Sequence, residues 1–586
     1  MSKDEVISTL ENIARLLEIK GENPFKYRAY ANAARALETF PGDLRATAEA
    51  GGLSAIEGIG KAISEKISLL VTEGHLEYYD ALRAEFPQDI LTLFEIQGLG
   101  GKKIKALYEA LGVSSITSLE RACGDGSLAA LPGFGEKTAK NLLESIALRK
   151  RNAGHFLMSD ATALASIILE DLRSHPAVDR VEVAGSFRRR KPVVRDLDFI
   201  VSSRAPEEVL AFFVGHPAFE RTLADGGTKA SVISREGIQC DLRVVTGREF
   251  PFALNYFTGS KEHNVRLRSR AQGMGWTLNE YRLAPLAEGG QEPGDIRDEQ
   301  GLYRELGLDW IPPELREDRG EFDAAENGTL PRLVEWTNFR GTFHNHTTAS
   351  DGRATLREMV DAARDLGLEY LGIADHSKSS VQANGLDEKR LLAQLSEIRE
   401  LEALLDGFRI FAGIECDILK DGSLDFEDSI LQMLDYVVVS VHSSFGMDEA
   451  KMTRRIIRAM ENPHATMLGH VTGRLLLTRD PYSVNVPAII DAAAATGTII
   501  ELNANPRRLE LDWTWWPLAK EKGVLCSINP DAHSTEGLTH LAFGADIARK
   551  GWLTRDDVIN TRTASKVSQL LSAKRRAHLS ESGGSR

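Results

Sequence analysis

The pattern of apolar and polar positions divides the chain into regions with different predicted elements. In residues 1–150 apolar side chains recur with helical spacing, and Gly-rich turns interrupt them. Residues 160–250 alternate between helices and short strands such as VDRVEVAG and RDLDFIVSS. From residue 339 short strands such as YLGIAD, YVVVSVH and TIIELN alternate with helices, which predicts repeated βα units. A helical part is therefore followed by parts that mix helices and strands.

Length and composition refine this division. A chain of 586 residues is typical of about four domains. Between 250 and about 315 the pattern is mixed and ends at Pro312-Pro313, and residues 316–338 are polar and acidic at first, which predicts a linker. No apolar stretch approaches the roughly 18 residues that span a membrane, and the N-terminus does not resemble a signal peptide. Four Cys without a CxxC pair argue against a disulfide framework and favour a reducing cytosol.

Three glycine turns in the helical region share one pattern. GIGKAISEKI, GLGGKKIKAL and GFGEKTAKNL each give G-x-G and then a Lys-bearing amphipathic segment. An apolar helix precedes each turn, so the strand context of a dinucleotide site is missing. The pattern predicts helix-hairpin-helix turns whose backbone N–H groups approach a DNA phosphate, and three copies favour this over plain turns between packed helices. The net charge of −14 does not exclude such local contacts. The glycines are Gly58, Gly60, Gly98, Gly100, Gly133 and Gly135.

Two acidic residues interrupt an apolar stretch near residue 200. Asp196 and Asp198 are two positions apart, so on a strand both carboxylates lie on one face. Asp241 in IQCDLRVV is placed to complete a site for hard cations such as Mg²⁺, and paired ions can stabilise both reacting oxygens of an in-line displacement. Before them, Gly185-Ser186 sits at a strand-to-helix turn that suits an anion. A DxD pair alone is common on protein surfaces, so this stretch by itself does not decide the function.

The order GSFRR, D-x-D, a third Asp and then YFTGS resembles the family X DNA polymerases, the polymerase beta group. The resemblance runs from the N-terminus to about residue 315. It implies that Asp196 and Asp198 hold two Mg²⁺ or Mn²⁺ ions, and that Asp241 holds the catalytic ion and helps to activate the primer 3′-hydroxyl. It also implies a triphosphate grip, a sugar-lining surface and minor-groove contacts. These are Gly185, Ser186 and Arg189 for the triphosphate, Tyr256, Phe257 and Gly259 for the sugar, and Asn264 and Arg268 for the groove.

The chain departs from the polymerase beta pattern at two positions, and the role of a lysine at a third position has two interpretations. Lys261 stands where polymerase beta has an acid, and Gln239 stands where it has an Arg beside the third Asp. Lys66 falls where that group carries a lysine that forms a Schiff base with 5′-deoxyribose phosphate, while Lys26 and Tyr27 align with the phosphate grip. A solvated or phosphate-contacting Lys66 is the equally weighted alternative, because a nucleophilic lysine needs a lowered pKa.

The C-terminal region carries a second set of candidate ligands. Its His and acidic residues nearly all follow apolar strands directly, so they are expected to gather at the C-terminal end of a parallel barrel. His combined with carboxylate favours Zn, Mn or Fe over Ca or Mg alone. The residues are His344, His346, Asp351, Asp375, His376, Glu415, His442, His470, Asp531 and His533.

This region resembles the PHP (polymerase and histidinol phosphatase) domain. The resemblance implies a distorted seven-stranded β/α barrel with up to three Zn²⁺, Mn²⁺ or Fe ions on the residues just named other than Asp375, and phosphodiester hydrolysis at that site. Thr342 stands where an Asp often precedes the first His. Arg508 is a candidate phosphate contact or a structural Arg. Base stacking by Trp513, Trp515 and Trp516 is weighed against core packing, which is favoured.

These interpretations combine into one prediction of architecture. The fold class is multidomain α/β, with helix-hairpin-helix domains, a polymerase beta-like α+β palm and a C-terminal PHP barrel. The predicted parts are a lyase-like helical domain at 1–80, a helix-hairpin-helix subdomain at 81–152, the palm at 153–249, a nucleotide-selecting subdomain at 250–315, the linker at 316–338, the PHP domain at 339–575 and a flexible tail at 576–586.

The predicted function is filling of short DNA gaps in base excision repair. The PHP domain adds a 3′→5′ exonuclease, with abasic endonuclease or 3′-end processing as a further activity. Expected partners are gapped or primed duplex DNA and deoxynucleoside triphosphates, with monovalent cations at the glycine turns, no membrane, a monomer, and a cytoplasmic location at the nucleoid when DNA is bound. The alternatives are a template-independent nucleotidyltransferase, a repair nuclease whose palm only binds DNA, and a non-catalytic DNA-binding scaffold.

Overall fold

The computed structural model of the protein describes residues 1–40, 42–56 and 58–583, and the chain separates into two units at Ala153. In the first unit the described residues form helices without strands. Its α-helices are α1 (Lys3–Lys20), α2 (Pro24–Thr39), α3 (Leu44–Glu49), α4 (Lys61–Glu73), α5 (Glu77–Ala84), α6 (Gly101–Leu111), α7 (Ile116–Gly124) and α8 (Glu136–Asn152).

Helix α1 shows why this part of the chain is helical. Ser2 accepts a hydrogen bond from the backbone of Glu5, whose side chain accepts one from the Ser2 backbone, so a capping box begins the helix. Val6, Leu10 and Leu17 recur along one face and are buried in the core of the first unit. Gly21 ends the helix with a φ of 80°, in the left-handed region that a glycine C-cap adopts.

The second unit begins with a five-stranded sheet. The segment comprises β1 (Phe156–Leu157), α9 (Met158–Ser174), β2 (Arg180–Val183), α10 (Gly185–Arg188), β3 (Val193–Val194), β4 (Asp196–Ser202), α11 (Pro206–Val214), β5 (Phe219–Gly226), β6 (Lys229–Ser234) and β7 (Gln239–Val245). The strands of the sheet run in the order β2-β4-β7-β6-β5, and only the central β4 and β7 are parallel.

A small mixed segment follows the sheet and has its own apolar core. Its elements are α12 (Phe250–Thr258), α13 (Lys261–Gly273), the hairpin strands β8 (Trp276–Leu278) and β9 (Leu283–Pro285), α14 (Glu299–Glu305) and α15 (Glu321–Glu326).

The prediction of a linker at 316–338 is wrong. Arg316 and Glu321 are fully buried, and Phe322 belongs to the same core as α14. The polar composition suggested solvent exposure, but the buried charges are paired: Arg316 Nη1 lies 2.6 Å from Glu299, and Glu321 lies 2.8 Å from His263 Nδ1. This segment is therefore a packed part of the second unit.

The rest of the chain forms a parallel barrel. Its elements are β10 (Gly341–Asn345), α16 (Leu356–Asp365), β11 (Tyr370–Ile373), α17 (Glu388–Ala403), β12 (Arg409–Ala412), β13 (Glu415–Asp417), α18 (Asp428–Leu431), β14 (Val438–Ser440), α19 (Glu449–Glu461), β15 (Met467–Leu468), α20 (Val486–Thr496), β16 (Ile499–Asn503), α21 (Trp516–Glu521), β17 (Cys526–Asn529), α22 (Leu541–Lys550) and α23 (Ala564–Gly583).

The barrel strands fall into two ladders that isolated bridges connect. The order is β10-β11-β12 and β13-β14-β15-β16-β17, with single parallel bridges from His376 to Glu415 and from Asn345 to Ala532. Since β12 and β13 are two pieces of one interrupted strand, the barrel has seven strand positions, and the predicted distorted seven-stranded barrel is confirmed. Helix α23 extends to Gly583 and so includes most of the predicted tail, and residues 584–586 lie outside the described residues.

No helix in the described residues is both long enough and apolar enough to cross a membrane.

Candidate active sites

Three carboxylates meet at one end of the central sheet strands. Asp196 and Asp198 occupy alternate positions of β4, and Asp241 is the direct partner of Asp198 on the parallel strand β7. Burial, followed by repulsion from Asp196 and Asp241, raises the pKa of Asp198 to about 7. Burial and repulsion from Asp241 also raise the pKa of Asp196. The structure thus brings the predicted acids together, and their mutual repulsion is what a bound divalent cation would relieve.

Asp241 is held in place by polar neighbours. The Ser231 hydroxyl donates a hydrogen bond to its Oδ1, and the Gln239 amide donates to both carboxylate oxygens at 3.3–3.4 Å. Lys229 Nζ lies 3.8 Å from Asp241 Oδ1. Gln239 therefore supports the third acid at the position where polymerase beta has an Arg. Ser231 was not predicted, although its place on β6 opposite Asp241 follows from the strand pairing.

Gly185 packs directly against the Asp198 side chain. Its φ is +63°, and a Cβ at this position would lie 2.3 Å from Asp198 Oδ2, so only glycine fits. The neighbouring Ala184 N–H donates to the Asp198 carbonyl at 2.8 Å. Half-buried Ser186 follows on α10. The predicted triphosphate turn therefore lies beside the carboxylates.

The structure gives Arg189 protein partners. Its Nε donates to Glu317 Oε1 at 3.1 Å, and its Nη1 donates to the Thr258 carbonyl. The preceding Arg188 pairs with Glu299 at 2.7 Å and donates to the Thr258 hydroxyl. Both arginines therefore tie the GSFRR turn to other parts of the second unit, and a role of Arg189 at the triphosphate stays a prediction.

The predicted sugar-lining residues lie at the end of α12, and the predicted minor-groove residues lie on α13. The Asn264 amide donates to the Tyr256 carbonyl at 2.7 Å, and Arg268 Nε donates to the Asn264 carbonyl at 3.3 Å. Phe257 packs under the Arg243 guanidinium at 4.3 Å. Gly259 has a φ of +69°, and a Cβ there would approach Arg189 Nη1 to 3.0 Å. This turn therefore contacts the GSFRR turn through Arg189.

The barrel collects all nine predicted ligands around Glu415. One Glu415 oxygen lies 2.8 Å from His470 Nε2, 3.1 Å from His442 Nε2 and 3.2 Å from His344 Nε2, and the other lies 2.8 Å from His376 Nδ1. Four groups have all their ligand atoms within 4.8 Å of one another, and in the described part of the chain such groups occur only here. They are His346 with Asp351, His376 and His533; His344 with Glu415 and His470; His344 with His346 and Asp531; and His376 with Glu415 and His442.

The donor set of this cluster fits metal ions. Both ring nitrogens of fully buried His346 and the Nε2 of His344 have no hydrogen-bond partner among the described residues. Buried nitrogens that make no hydrogen bond are costly unless they coordinate a cation. His344 and Asp531 also have positive φ values of 57° and 51°, an uncommon backbone conformation that concentrates at functional sites. Mixed imidazole and carboxylate donors suit Zn, Mn or Fe.

Two further carboxylates hydrogen-bond histidines of the cluster and fix the orientation of their rings. Fully buried Glu501 lies 2.6 Å from His344 Nδ1, and Asp417 hydrogen-bonds His442 Nδ1. Although burial acts against it, Glu501 and Glu415 raise the pKa of His344 well above its usual value. Neither Glu501 nor Asp417 was predicted. Both lie on strands of the barrel, Glu501 in TIIELN and Asp417 two positions after Glu415, and that placement is the signal that could have found them.

The other barrel candidates have mixed outcomes. Arg508 Nε lies 3.4 Å from Asp531, so this guanidinium reaches the edge of the cluster. Asp375 accepts bonds from Thr347 and Ser350 and holds the loop after β10. Trp516 is fully buried and packs in the core, as favoured.

The three glycine turns of the first unit are locally equivalent. Gly58, Gly98 and Gly133 have φ values of 83–90°, and the second glycines, Gly60, Gly100 and Gly135, are the N-caps of α4, α6 and α8. None of the three caps supplies a side chain, and a Cβ at any of them would meet nothing within 4 Å. The first N–H groups of these helices are therefore open to an anion. At the second turn Lys103 Nζ donates to the Gly98 carbonyl at 2.8 Å, where a monovalent cation was a candidate.

Lys66 lies in a groove on the same unit. Its Nζ is 3.3 Å from the Ala62 carbonyl and 5.1 Å from the centre of the Tyr78 ring. The groove has a volume of about 500 Å³ and is also lined by His75. Lys26 is paired with Glu22, and Tyr27 is half-buried.

Family models match most parts of the chain. A helix-hairpin-helix domain matches residues 1–76, a SAM-like helix-hairpin-helix tandem matches 90–147, the DNA polymerase beta thumb matches 253–317, and the PHP domain matches 342–505. These matches cover the glycine turns, the YFTGS region and most of the histidine cluster.

Whole proteins similar to this chain were also found. The DNA polymerase/3′-5′ exonuclease PolX of Bacillus subtilis is 37% identical over 576 residues, which is 97% of this chain and 99% of that protein. A probable phosphatase of Thermoanaerobacter sp. is 26% identical over 40% of this chain and 94% of that protein. DNA polymerase lambda of Rattus norvegicus is 25% identical over 51% of this chain and 50% of that protein.

Proposed function

The chain belongs to the family X DNA polymerases that carry a C-terminal PHP domain, and from this premise we propose that it extends DNA at the palm and degrades it from the 3′ end at the barrel. The proposal rests on one observation: the chain has two separate clusters of side chains that can bind metal ions. They are the Asp triad on β4 and β7 and the nine barrel ligands that include Glu415. Each cluster suits a different class of cation, which favours two sites over one.

At the palm the side chains hold the reacting groups. Asp196, Asp198 and Asp241 would bind Mg²⁺ or Mn²⁺, which when bound stabilises the attacking and leaving oxygens. Asp241, fixed by Ser231 and Gln239, is the group placed to take the proton of the primer 3′-hydroxyl. The turn at Gly185 would present the triphosphate next to the Asp198 carboxylate.

At the barrel the nine ligands would hold up to three Zn²⁺, Mn²⁺ or Fe ions, which when bound activate water and polarise the phosphodiester. Glu501 and Asp417 fix the ring orientation of His344 and His442. Arg508 supplies positive charge at the edge of the cluster, where a phosphate of the DNA 3′ end would lie.

We propose that the preferred substrate is a short gap in duplex DNA. This preference is tested by comparing the extension of gapped, primed and blunt duplexes with Mg²⁺ or Mn²⁺. We expect gap filling to be fastest and the added nucleotide to follow the template. Equal extension of blunt and gapped DNA would favour the template-independent alternative.

The glycine turns provide a prediction for DNA binding. Thr caps helices about as well as Gly, so Gly100→Thr with Gly135→Thr should fold normally but fill the space that a phosphate needs. We expect DNA affinity to fall about tenfold, because charge-assisted hydrogen bonds are lost. Fluorescence anisotropy with labelled gapped DNA measures this. Gly124→Ala, at another open position of the same unit, is the control, and unchanged affinity in the double variant would remove the turns from the DNA interface.

A lyase activity is a second candidate function, favoured by the position of Lys66 in the groove beside Tyr78. Borohydride trapping on a 5′-deoxyribose phosphate substrate should give a covalent adduct in the wild type and at least about tenfold less in Lys66→Ala, since an amine nucleophile is required. Lys61→Ala, on the exposed first turn of the same helix, is the control. Equal trapping in wild type and Lys66→Ala would dismiss Lys66 as the nucleophile.

A further inference from the structure

Lys550 is a buried cation between the barrel and the palm. It is the last residue of α22, and its side chain is fully buried. Its Nζ donates to the Arg189 carbonyl at 2.9 Å, to the Glu314 carbonyl at 3.2 Å and to Glu317 Oε1 at 2.6 Å. These bonds use all three protons of the ammonium. A residue of the barrel thus holds the backbone of the GSFRR turn.

Glu317 extends this contact to the Arg189 side chain. The carboxylate accepts from both Lys550 and Arg189 Nε, and its second oxygen lies 3.1 Å from Lys191. Although burial opposes it, these three cations lower the pKa of Glu317 to about 2. Burial in turn lowers the pKa of Lys550 to about 8. The group therefore contains three cations that share one carboxylate, and it carries a net positive charge.

Trp513 forms a second contact between the barrel and the same turn. The centre of its ring lies 4.5 Å from Lys550 Nζ, 4.8 Å from Lys191 Nζ and 5.3 Å from the Arg319 guanidinium carbon. Cations near an indole face are attracted to it. The neighbouring charges are paired locally, since Arg549 contacts the Glu314 carboxylate at 2.7 Å and Arg190 contacts Asp546 at 3.3 Å.

We infer that Lys550 is a positioning residue for nucleotide binding in the palm, supplied by the PHP barrel. The inference rests on the proposed polymerase function. Lys550 touches no reacting group, but it fixes the carbonyl of Arg189 and the carboxylate that binds the Arg189 guanidinium. The turn it supports packs on Asp198 through Gly185, and a binding turn keeps its geometry only when supporting hydrogen bonds hold it. The net positive charge of this group also suits a triphosphate.

Steady-state kinetics of the full-length chain tests this inference. Lys550→Met keeps much of the apolar volume and removes the three hydrogen bonds. We expect KM for the incoming nucleotide on gapped DNA to rise about tenfold, with exonuclease kcat on a single-stranded primer changed less than about twofold. Lys574→Met is the matched control, because Lys574 is half-buried and donates only to barrel groups, among them the Ala465 carbonyl and the Thr498 hydroxyl. It should leave the nucleotide KM unchanged.

The outcomes separate this inference from the proposed function. A wild type that does not extend DNA contradicts the proposed function itself. If the wild type extends DNA and the Lys550→Met variant has an unchanged nucleotide KM, only the inference is overturned. An equal loss of extension and degradation in Lys550→Met also overturns it, because that result indicates a general structural role. If Lys550→Met does not fold, Lys550→Gln replaces it as the test, because its amide can still donate hydrogen bonds. A rise of the nucleotide KM by less than about tenfold then supports the inference. An unchanged KM overturns it.

Discussion

We expect that replacing Asp198 with Asn abolishes primer extension and leaves 3′→5′ degradation intact. Asp198 lies opposite Asp241 on the parallel strand and contacts Gly185, so it stands at the centre of the palm site. The amide keeps the shape of the side chain but removes a negative charge from the cation site. Loss of one preorganised electrostatic group costs on the order of 10³-fold in kcat, and loss of a metal ligand is expected to cost at least that.

Extension is measured on a labelled primer in a short gap, with single-turnover rates at saturating nucleotide. Asp225→Asn, an exposed acid on β5 of the same sheet, is the matched control and should extend at the wild-type rate. Thermal melting of each variant confirms folding. Near wild-type extension by Asp198→Asn would remove the Asp triad from the reaction.

Replacing His346 with Ala is expected to have the opposite effect. His346 is fully buried, belongs to two of the four ligand groups, and has no hydrogen-bond partner on either ring nitrogen among the described residues. Its loss should therefore weaken metal binding more than it weakens packing. We expect degradation to fall on the order of 10²–10³-fold, the scale of losing one preorganised group in a catalytic site, while gap filling changes less than about twofold.

Metal content gives this variant a readout besides activity. Elemental analysis of purified protein should show fewer Zn, Mn or Fe ions per chain in His346→Ala than in wild type. His464→Ala, a barrel histidine outside the ligand groups, should retain both the metal and the degradation rate. Full metal content and full degradation in His346→Ala would contradict the assignment of the barrel site.

The positions of the candidate metal ligands could be predicted from their spacing along the strands. Asp196 and Asp198 share a face because they are two positions apart on a strand. The barrel ligands converge because nearly all of them lie at or just after the ends of parallel strands. The resemblance to family X polymerases and to the PHP domain is confirmed by the similarity over nearly the whole chain. Motif order along the chain carried this information.

Contacts between distant parts of the chain were not predictable. Glu317 lies 128 positions after Arg189, and no local pattern indicates that the two side chains meet. The same reason explains the incorrect prediction of a linker. Arg316 and Glu321 are charged residues that the sequence suggests are exposed, but they are buried because their charges are paired with Glu299 and His263. Glu501 and Asp417 were missed because an acid on a strand, outside any recognisable motif, resembles an ordinary polar position.

The central claim is that one chain holds two separate sites for phosphoryl transfer. One labelled gapped duplex, incubated with nucleotides and divalent cations, reports extension and degradation in the same reaction for wild type, Asp198→Asn and His346→Ala. We predict both products for wild type, only shortened primer for Asp198→Asn and only extended primer for His346→Ala. Loss of both products in either variant, with an unchanged melting temperature, would contradict the account.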